Sequence, residues 1–142
     1  MLQVSYDGRC FGCGIENPLG LQMHFQDLNG ESVCEFKVDA HFQSWEGMVH
    51  GGIVALMLDE AVGWAGWHAG VPGVTAKLEV RYRQPLLIDD RVRVVGRVES
   101  VRRRLVRTSA SIGRIEDGSL IAEAVATLMS TPTAVRNPQG LG

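Results

Sequence analysis

Two adjacent carboxylates lie inside the most apolar stretch of the chain and are the first candidates for chemistry. Asp59 and Glu60 interrupt residues 53–68, which otherwise consist mainly of apolar side chains and glycine. A buried carboxylate is unfavourable unless it is paired or hydrogen-bonded. On a helix the two acids would point about 100° apart, each among apolar neighbours. The same pattern fits a catalytic acid and an acid that reaches solvent or a subunit-interface partner equally well.

A second candidate lies directly before that stretch, at His50-Gly51-Gly52. Two glycines at a helix start leave backbone N–H groups unobstructed, and the helix dipole adds to their attraction for negative charge. Such groups could polarise a carbonyl or hold an oxyanion, although glycines here could also serve close packing alone. The rise of one helix separates its start from Asp59 by roughly 12 Å. One site containing both groups would therefore need two subunits.

Two cysteines near the start of the chain form a short Cys-x-x-Cys segment. Cys10 and Cys13 could bind zinc, but zinc prefers four ligands and no second such segment exists. His24 and Cys34 could supply two more ligands. Buried thiols in a packed loop are the better interpretation, so we predict neither a metal nor a cofactor. The odd total of three cysteines argues against a disulfide framework.

A group of arginines marks the junction of two predicted strands. Its members are Arg102, Arg103, Arg104 and Arg107. Such a run is typical of a solvated hairpin end, and a nucleotide phosphate is the sharper alternative. The sequence contains no Walker-type loop, no Gly-x-Gly-x-x-Gly fingerprint and no Gly-x-Ser-x-Gly elbow.

The elements that must position these groups follow from periodicity. Residues 21–25 alternate apolar and polar side chains, which predicts a strand, and Asn29-Gly30 predicts a hairpin turn into residues 33–38. Residues 53–68 contain no proline and are apolar on every side, which predicts a buried helix. Gly70 and Pro72 end it.

Four strands are predicted after the helix, at residues 74–83, 92–101, 105–112 and 120–129. Strands around one apolar helix imply an α+β fold in which an antiparallel sheet wraps that helix. An edge strand left open would favour pairing between subunits.

Length and composition bound the remaining possibilities. We predict one domain over residues 1–142, with a cysteine-containing loop at about 8–20 and a flexible tail from about residue 131. The formal net charge of -2 gives no reason to expect nucleic acid or membrane as a partner. The longest apolar stretch, 53–58, is too short to cross a bilayer, and no signal peptide is predicted. We expect a reduced, cytoplasmic protein.

Three segments together resemble a known family. Residues 45–64, with His-Gly-Gly followed by Leu-Asp, resemble the helix motif of PaaI-like hotdog-fold thioesterases, and residues 74–85, with Tyr-x-x-Pro, resemble the strand after that helix. The segment from Cys10 to Leu21, with Asn-Pro-x-Gly-Leu, also occurs in members of this group. The resemblance extends from about Cys10 to Met129.

The resemblance implies a hotdog fold and a homodimer or homotetramer with active sites across the subunit interface. It implies Asp59 as general base or nucleophile, and the Gly51 backbone N–H, with Gly52 nearby, as the group that polarises the thioester carbonyl. It places His50 near the thioester and gives Thr75 the role of holding the attacking water. Many relatives carry asparagine before His-Gly-Gly; here Gln43 or Glu46 stands in that loop.

The implied activity is hydrolysis of a small-to-medium or aromatic acyl-CoA. Further candidate substrate-binding residues are Gly52, Glu60, Trp45, Trp64, Arg83 and Arg103. The alternatives are hydration or dehydration of an enoyl- or hydroxyacyl thioester, a non-catalytic acyl-CoA-binding module, and a small zinc-bearing interaction domain.

Overall fold

A computed structural model describes residues 5–131, which form one antiparallel sheet around one helix. The elements are β1 (Gln26–Leu28), β2 (Glu31–Lys37), a 3-10 turn (Ala40–Phe42), α1 (Gly51–His68), β3 (Gly73–Tyr82), β4 (Arg91–Arg102), β5 (Leu105–Arg114) and β6 (Leu120–Ser130). The six strands lie in the order β1-β2-β4-β5-β6-β3. The predicted α+β architecture is confirmed.

The helix lies directly on the middle of the sheet. A Cβ added at Gly96 in β4 would stand 2.1 Å from the Ala61 carbonyl oxygen, so only glycine permits this approach. Met57, Leu58 and Val62 are fully buried on the same helix face. This contact fixes the rotation of α1 and therefore decides which of its side chains point away from the sheet.

The prediction that α1 is buried on every side is wrong. Its sheet-facing side is buried, but Ile53, Leu56, Gly63 and Trp67 on the other side are only half-buried. One sheet can cover one side of a helix, and the N-terminal loop covers only part of the rest. The outer side of α1 therefore carries partly exposed apolar surface together with Asp59.

The predicted strand at residues 21–25 is also wrong, although its alternation is real. Leu21, Met23 and Phe25 are buried and the residues between them are exposed, yet regular strand begins only at Gln26. Gln22 adopts a φ of 55°, and the backbone N–H groups of Leu21 and Met23 donate to carbonyls of the cysteine-containing loop. These bonds hold that loop against the core.

The hairpin turn at Asn29-Gly30 is confirmed. Both residues have positive φ, of 54° and 86°, as a type I′ turn requires. β3 forms one edge of the sheet, pairs with β6 and is mostly exposed, which departs from the half-buried strand predicted there. Of the predicted tail, residues 132–142 lie outside the described part, while the Thr131 N–H donates to the Pro72 carbonyl at 2.9 Å. No helix within residues 5–131 is long and apolar enough to span a membrane.

Candidate active site

A carboxylate–hydroxyl pair stands on the outer side of the helix. The Thr75 Oγ1 hydroxyl donates a hydrogen bond of 2.6 Å to Asp59 Oδ1. The pairing of β3 with β6 shifts register between Thr75 and Lys77, and such an irregularity re-aims side chains at an edge strand. Thr75 is thereby aimed at the middle of α1, where Asp59 is half-buried. The second carboxylate oxygen of Asp59 has no partner within residues 5–131.

A cavity of about 310 Å³ opens beside this pair. Its walls combine the polar pair with apolar surface from Gly63, Trp64 and Trp67. Trp64 is itself buried and stacks on Phe25, with ring centroids 6.4 Å apart, so this wall is fixed by the core. The cavity therefore offers an apolar chain a place next to a carboxylate that can accept a proton.

The second helix acid borders the same cavity but bonds to a different segment. Glu60 Oε1 accepts a hydrogen bond of 3.2 Å from the Cys10 thiol in the N-terminal loop. Burial, followed by the nearby charge of Cys10, raises the pKa of Glu60 to about 8. Both acids line the cavity, but Glu60 is held by the N-terminal loop, whereas Asp59 is held by β3.

The helix start forms a separate surface. His50 caps the helix, because its Nδ1 accepts a hydrogen bond of 2.8 Å from the Gly52 N–H. An accepting Nδ1 places the proton of a neutral imidazole on Nε2. The Gly52 amide is therefore satisfied, while within residues 5–131 the Gly51 N–H has no acceptor. Gly51, and not Gly52, is the amide available to a ligand.

A tyrosine from the edge strand braces this helix start. The Tyr82 hydroxyl donates a hydrogen bond of 2.8 Å to the Gly51 carbonyl, and a Cβ at Gly51 would meet the tyrosine ring at an ordinary 3.6 Å. The sequence reasoning used Tyr82 only as a motif position and assigned it no role. Its place in the Tyr-x-x-Pro segment was the signal that could have identified it.

A second cavity of about 520 Å³ adjoins the Gly51 amide. Trp45, His50, Tyr82 and Arg83 line it, and Trp45 is 79% exposed. The Arg83 guanidinium donates to the Glu123 carboxylate at 3.1 Å, which leaves it partly neutralised.

The predicted site residues thus divide into two groups. Asp59, Glu60, Trp64 and Thr75 line the first cavity, and Trp45, His50, Gly51 and Arg83 line the second. Gly52 lines neither cavity, and its N–H donates to His50 Nδ1 at the start of the helix. Arg103 lines neither and lies in the exposed turn between β4 and β5 with a φ of 57°.

Gln43 and Glu46, the polar residues of the loop before α1, lie outside both cavities. Gln43 Oε1 accepts a hydrogen bond of 2.9 Å from the Gly47 N–H and so stabilises the turn. Glu46 is exposed, as is His41, whose Nδ1 lies 2.8 Å from Asp39 Oδ1. None of the three lines either cavity.

Comparison with known proteins identifies the family. The family model described as "Thioesterase superfamily" matches residues 46–121. A curated relative, acyl-coenzyme A thioesterase THEM4 of Mus musculus, is 29% identical over 118 residues, which cover 82% of this chain and 51% of the relative. The chain therefore spans about half the length of that relative.

Solved structures share the fold. A crystal structure described as a thioesterase superfamily protein aligns with a TM-score of 0.82 and 27% identity, covering 87% of this chain and 61% of that chain. The Escherichia coli PaaI protein aligns with a TM-score of 0.73 and 15% identity, covering 80% and 84%. These alignments confirm the predicted hotdog fold.

A thioesterase protein of Streptococcus pneumoniae has the same fold and is described in complex with coenzyme A. It aligns with a TM-score of 0.72 and 22% identity, covering 83% of this chain and 91% of that chain. Two further structures of the protein carry an alanine in place of an aspartate and of a threonine, respectively, sixteen residues apart.

Proposed function

The chain belongs to the thioesterase superfamily, and we propose that it hydrolyses an acyl-CoA thioester to a free acid and coenzyme A. The observation that carries this proposal is the Asp59–Thr75 pair at an apolar-walled cavity. Asp59 and Thr75 are sixteen residues apart, the same spacing as the aspartate and threonine replaced in the Streptococcus pneumoniae thioesterase. The curated acyl-CoA thioesterases among its relatives support the same activity.

The proposed reaction uses groups from both halves of the site. The Gly51 N–H of one subunit donates to the thioester carbonyl and stabilises the oxyanion that develops there. In the facing subunit, Thr75 Oγ1 accepts a hydrogen bond from a water molecule, and Asp59 takes a proton from that water. The water oxygen bonds to the carbonyl carbon, the carbon–sulfur bond breaks, and coenzyme A leaves as a thiolate. Alternatively, the Asp59 carboxylate bonds to the carbonyl carbon, the carbon–sulfur bond breaks with coenzyme A leaving as a thiolate, and water then hydrolyses the resulting anhydride to the free acid and the Asp59 carboxylate.

The substrate class follows from the cavity walls. Gly63, Trp64 and Trp67 offer apolar and aromatic contact beside Asp59, which suits a small-to-medium or aromatic acyl group. The coenzyme A complex described for the Streptococcus pneumoniae protein supports coenzyme A as the thiol portion. A panel of acyl-CoA thioesters assayed by thiol release identifies the acyl group.

An activity assay with one matched variant pair tests the proposal. Asp59→Asn keeps the shape of the side chain but removes the base, so turnover should fall by about 10²–10⁴-fold. Asp89→Asn, at an exposed position whose positive φ asparagine tolerates, serves as the control and should retain full turnover. Wild-type rates in Asp59→Asn with every acyl-CoA of the panel would refute the assignment.

Assays of thiol release and of enoyl absorbance on the same purified enzyme distinguish hydrolysis from hydration. A hydratase would consume enoyl-CoA with loss of enoyl absorbance and without releasing thiol. Histidines near the helix acid could serve a hydratase, but His41 pairs with Asp39 at the surface and His50 Nδ1 caps the helix. This arrangement favours the hydrolase.

The two half-sites call for a homo-oligomer, and mixed variants test that inference. We propose that Asp59 of one subunit faces Gly51 of its partner. A heterodimer of Asp59→Asn and Gly51→Pro subunits, isolated with two affinity tags, then contains one intact site and should regain about half of the wild-type rate. If both groups came from the same chain, the heterodimer would contain no intact site and would stay inactive.

We infer a single domain over residues 1–142 and a cytoplasmic location, which three unpaired cysteines support. Cell fractionation with a tagged chain tests the location.

A further inference from the structure

Three metal-ligating side chains converge beside the first cavity. Cys10 and Cys13 come from the N-terminal loop and Glu60 from α1, fifty residues further along the chain. Their ligand atoms all lie within 4.8 Å of one another. We propose that these three residues bind a thiophilic divalent cation of the Zn²⁺ class.

The distances suit that cation. Around tetrahedral zinc, thiolate and carboxylate ligands stand about 3.6–3.8 Å from each other, given bond lengths of about 2.0–2.3 Å. The Cys10 Sγ and Glu60 Oε1 atoms lie 3.2 Å apart, so a small side-chain adjustment would accommodate the ion. The residue types agree as well, since thiolates and a carboxylate are ordinary zinc ligands.

The loop backbone is shaped to present the two thiols to the carboxylate. The Gly14 N–H donates to the Cys10 carbonyl at 2.8 Å, which closes a tight turn around the Cys-x-x-Cys segment. A Cβ at Gly12 would stand 2.2 Å from Glu60 Cγ, and one at Gly14 would stand 2.4 Å from a backbone oxygen. Glycine is therefore required at both positions for the loop to close over Glu60.

The charge balance of the cluster also indicates a cation. Glu60 is half-buried, and within residues 5–131 it forms no ion pair with a basic side chain. Its hydrogen-bond donor is a thiol, which is a weak donor. Nearby, the Tyr6 hydroxyl lies 3.7 Å from Cys13 Sγ, and it carries no positive charge. No positive charge therefore competes with a divalent ion at the cluster, and the two thiols and the carboxyl group can release their protons when the ion binds.

Three protein ligands leave one coordination position of a tetrahedral ion open. Cys10, Cys13 and Glu60 all border the cavity that contains Asp59 and Thr75, so solvent or a small ligand can reach that position. Three protein ligands and one exchangeable ligand are typical of catalytic zinc sites. The other residues considered from sequence do not complete a closed site, because Cys34 is buried elsewhere and donates to the Glu35 carbonyl.

Cobalt binding to the reduced, metal-free protein tests the proposal. Co²⁺ in a site with two thiolates gives a strong near-ultraviolet charge-transfer band, which should saturate at one equivalent and be displaced by Zn²⁺. Cys10→Ser and Cys13→Ser should each lose most of the band, and Glu60→Gln should weaken Co²⁺ binding at least about tenfold. Cys34→Ser removes the third cysteine outside the cluster and should leave the titration unchanged.

Two measurements keep the test decisive if a serine variant folds poorly. Wild-type protein should gain thermal stability on addition of Zn²⁺, because an ion that binds only the folded state stabilises it. Folded Glu60→Gln should gain much less. Absence of the cobalt band in reduced wild-type protein, or an equal Zn²⁺ effect on wild type and Glu60→Gln, would overturn the proposal. None of these readouts uses a substrate, so they are independent of the thioesterase assays.

Discussion

The two cavities along α1 differ in how much of their chemistry one chain completes. At the Asp59 cavity the carboxylate already has its hydroxyl partner, and tryptophans of the core form the wall. At the Gly51 cavity the amide has no acceptor within residues 5–131, and Trp45 is largely exposed. A base can be positioned in advance by its own chain, whereas an oxyanion donor acts only when a carbonyl is brought to it.

One strand connects the two halves. β3 contributes Thr75 to the carboxylate half and Tyr82 to the amide half, and each side chain hydrogen-bonds α1. β3 is also an edge strand, open to pairing with another chain. Pairing along that edge would therefore bring a partner subunit next to both halves of the site.

We call the Gly51 cavity the open half of the site and the Asp59–Thr75 cavity the completed half. At the open half, removal of the Gly51 amide should lower activity the most. Gly51→Pro deletes the N–H at the first position of the helix, where proline is accepted, and His50 already has the extended ψ of 134° that a residue before proline needs. We expect kcat to fall by about 10²–10³-fold.

The control for that change is Gly51→Ala, which keeps the N–H and adds a methyl group at an ordinary 3.6 Å from the Tyr82 ring. It should retain most of the activity. Equal losses in the two variants would show that shape, and not the amide, matters at this position.

The completed half should be less sensitive to loss of its hydroxyl. Thr75→Val keeps the β-branched shape but removes the donor to Asp59, and we expect steady-state kcat to fall about tenfold. Thr75→Ser should restore most of the rate, since a serine hydroxyl can make the same bond. A Thr75→Val enzyme as active as the wild type would remove Thr75 from the site.

The hydrogen bond from Tyr82 to the Gly51 carbonyl should contribute still less to kcat. Tyr82→Phe removes the hydrogen bond to the Gly51 carbonyl while leaving the ring in place, and we expect a loss of only a few-fold in kcat. Because the bond positions the helix start, the loss should disappear in the Gly51→Pro background. Additive losses in the double variant would separate Tyr82 from the amide.

The smallest expected effect is a change in the free energy of unfolding, and it differs between the outer side of α1 and the side that faces the sheet. At Gly63, which borders the Asp59 cavity, an added Cβ meets nothing within 4 Å, so Gly63→Ala should raise the free energy of unfolding by about 0.5–1 kcal/mol. Gly66→Ala should be destabilising, because its Cβ would meet Leu128 at 2.9 Å and the Val71 carbonyl at 3.1 Å. Urea denaturation of both variants measures the difference.

Local sequence patterns predicted most of the strands, the helix and the hairpin turn, but not the tertiary contacts and burial of these elements. The period-two pattern of the four strands after the helix and the Asn29-Gly30 turn depend on neighbours in the chain, and those strands and that turn are present. The alternating residues 21–25 bond to the cysteine-containing loop instead of forming a strand, because a left-handed Gln22 redirects the backbone. Neither Gln22 nor the partial burial of α1 has a signal in the sequence, since each depends on distant segments.

The candidate site divides in the same way. Residue types and spacing selected the Asp59-Glu60 pair and the Gly51 and Gly52 amides and, through the helical rise, separated the acids from the amides. The family resemblance favoured Asp59 of the two acids and added Thr75. The tertiary structure decided that Glu60 turns to Cys10 while Asp59 turns to Thr75, that His50 occupies the Gly52 amide, and that Tyr82 braces the helix start.

The sequence by itself determined the order of strands and helix along the chain, the residues able to do chemistry and their separation along one helix, because periodicity and helical rise are local properties. Only the tertiary structure decided which acid pairs with Thr75, which acid pairs with Cys10, and which amide remains unbonded. Those outcomes depend on the rotation of α1, which the contact between Gly96 and Ala61 fixes, and on segments far apart in sequence that meet around it.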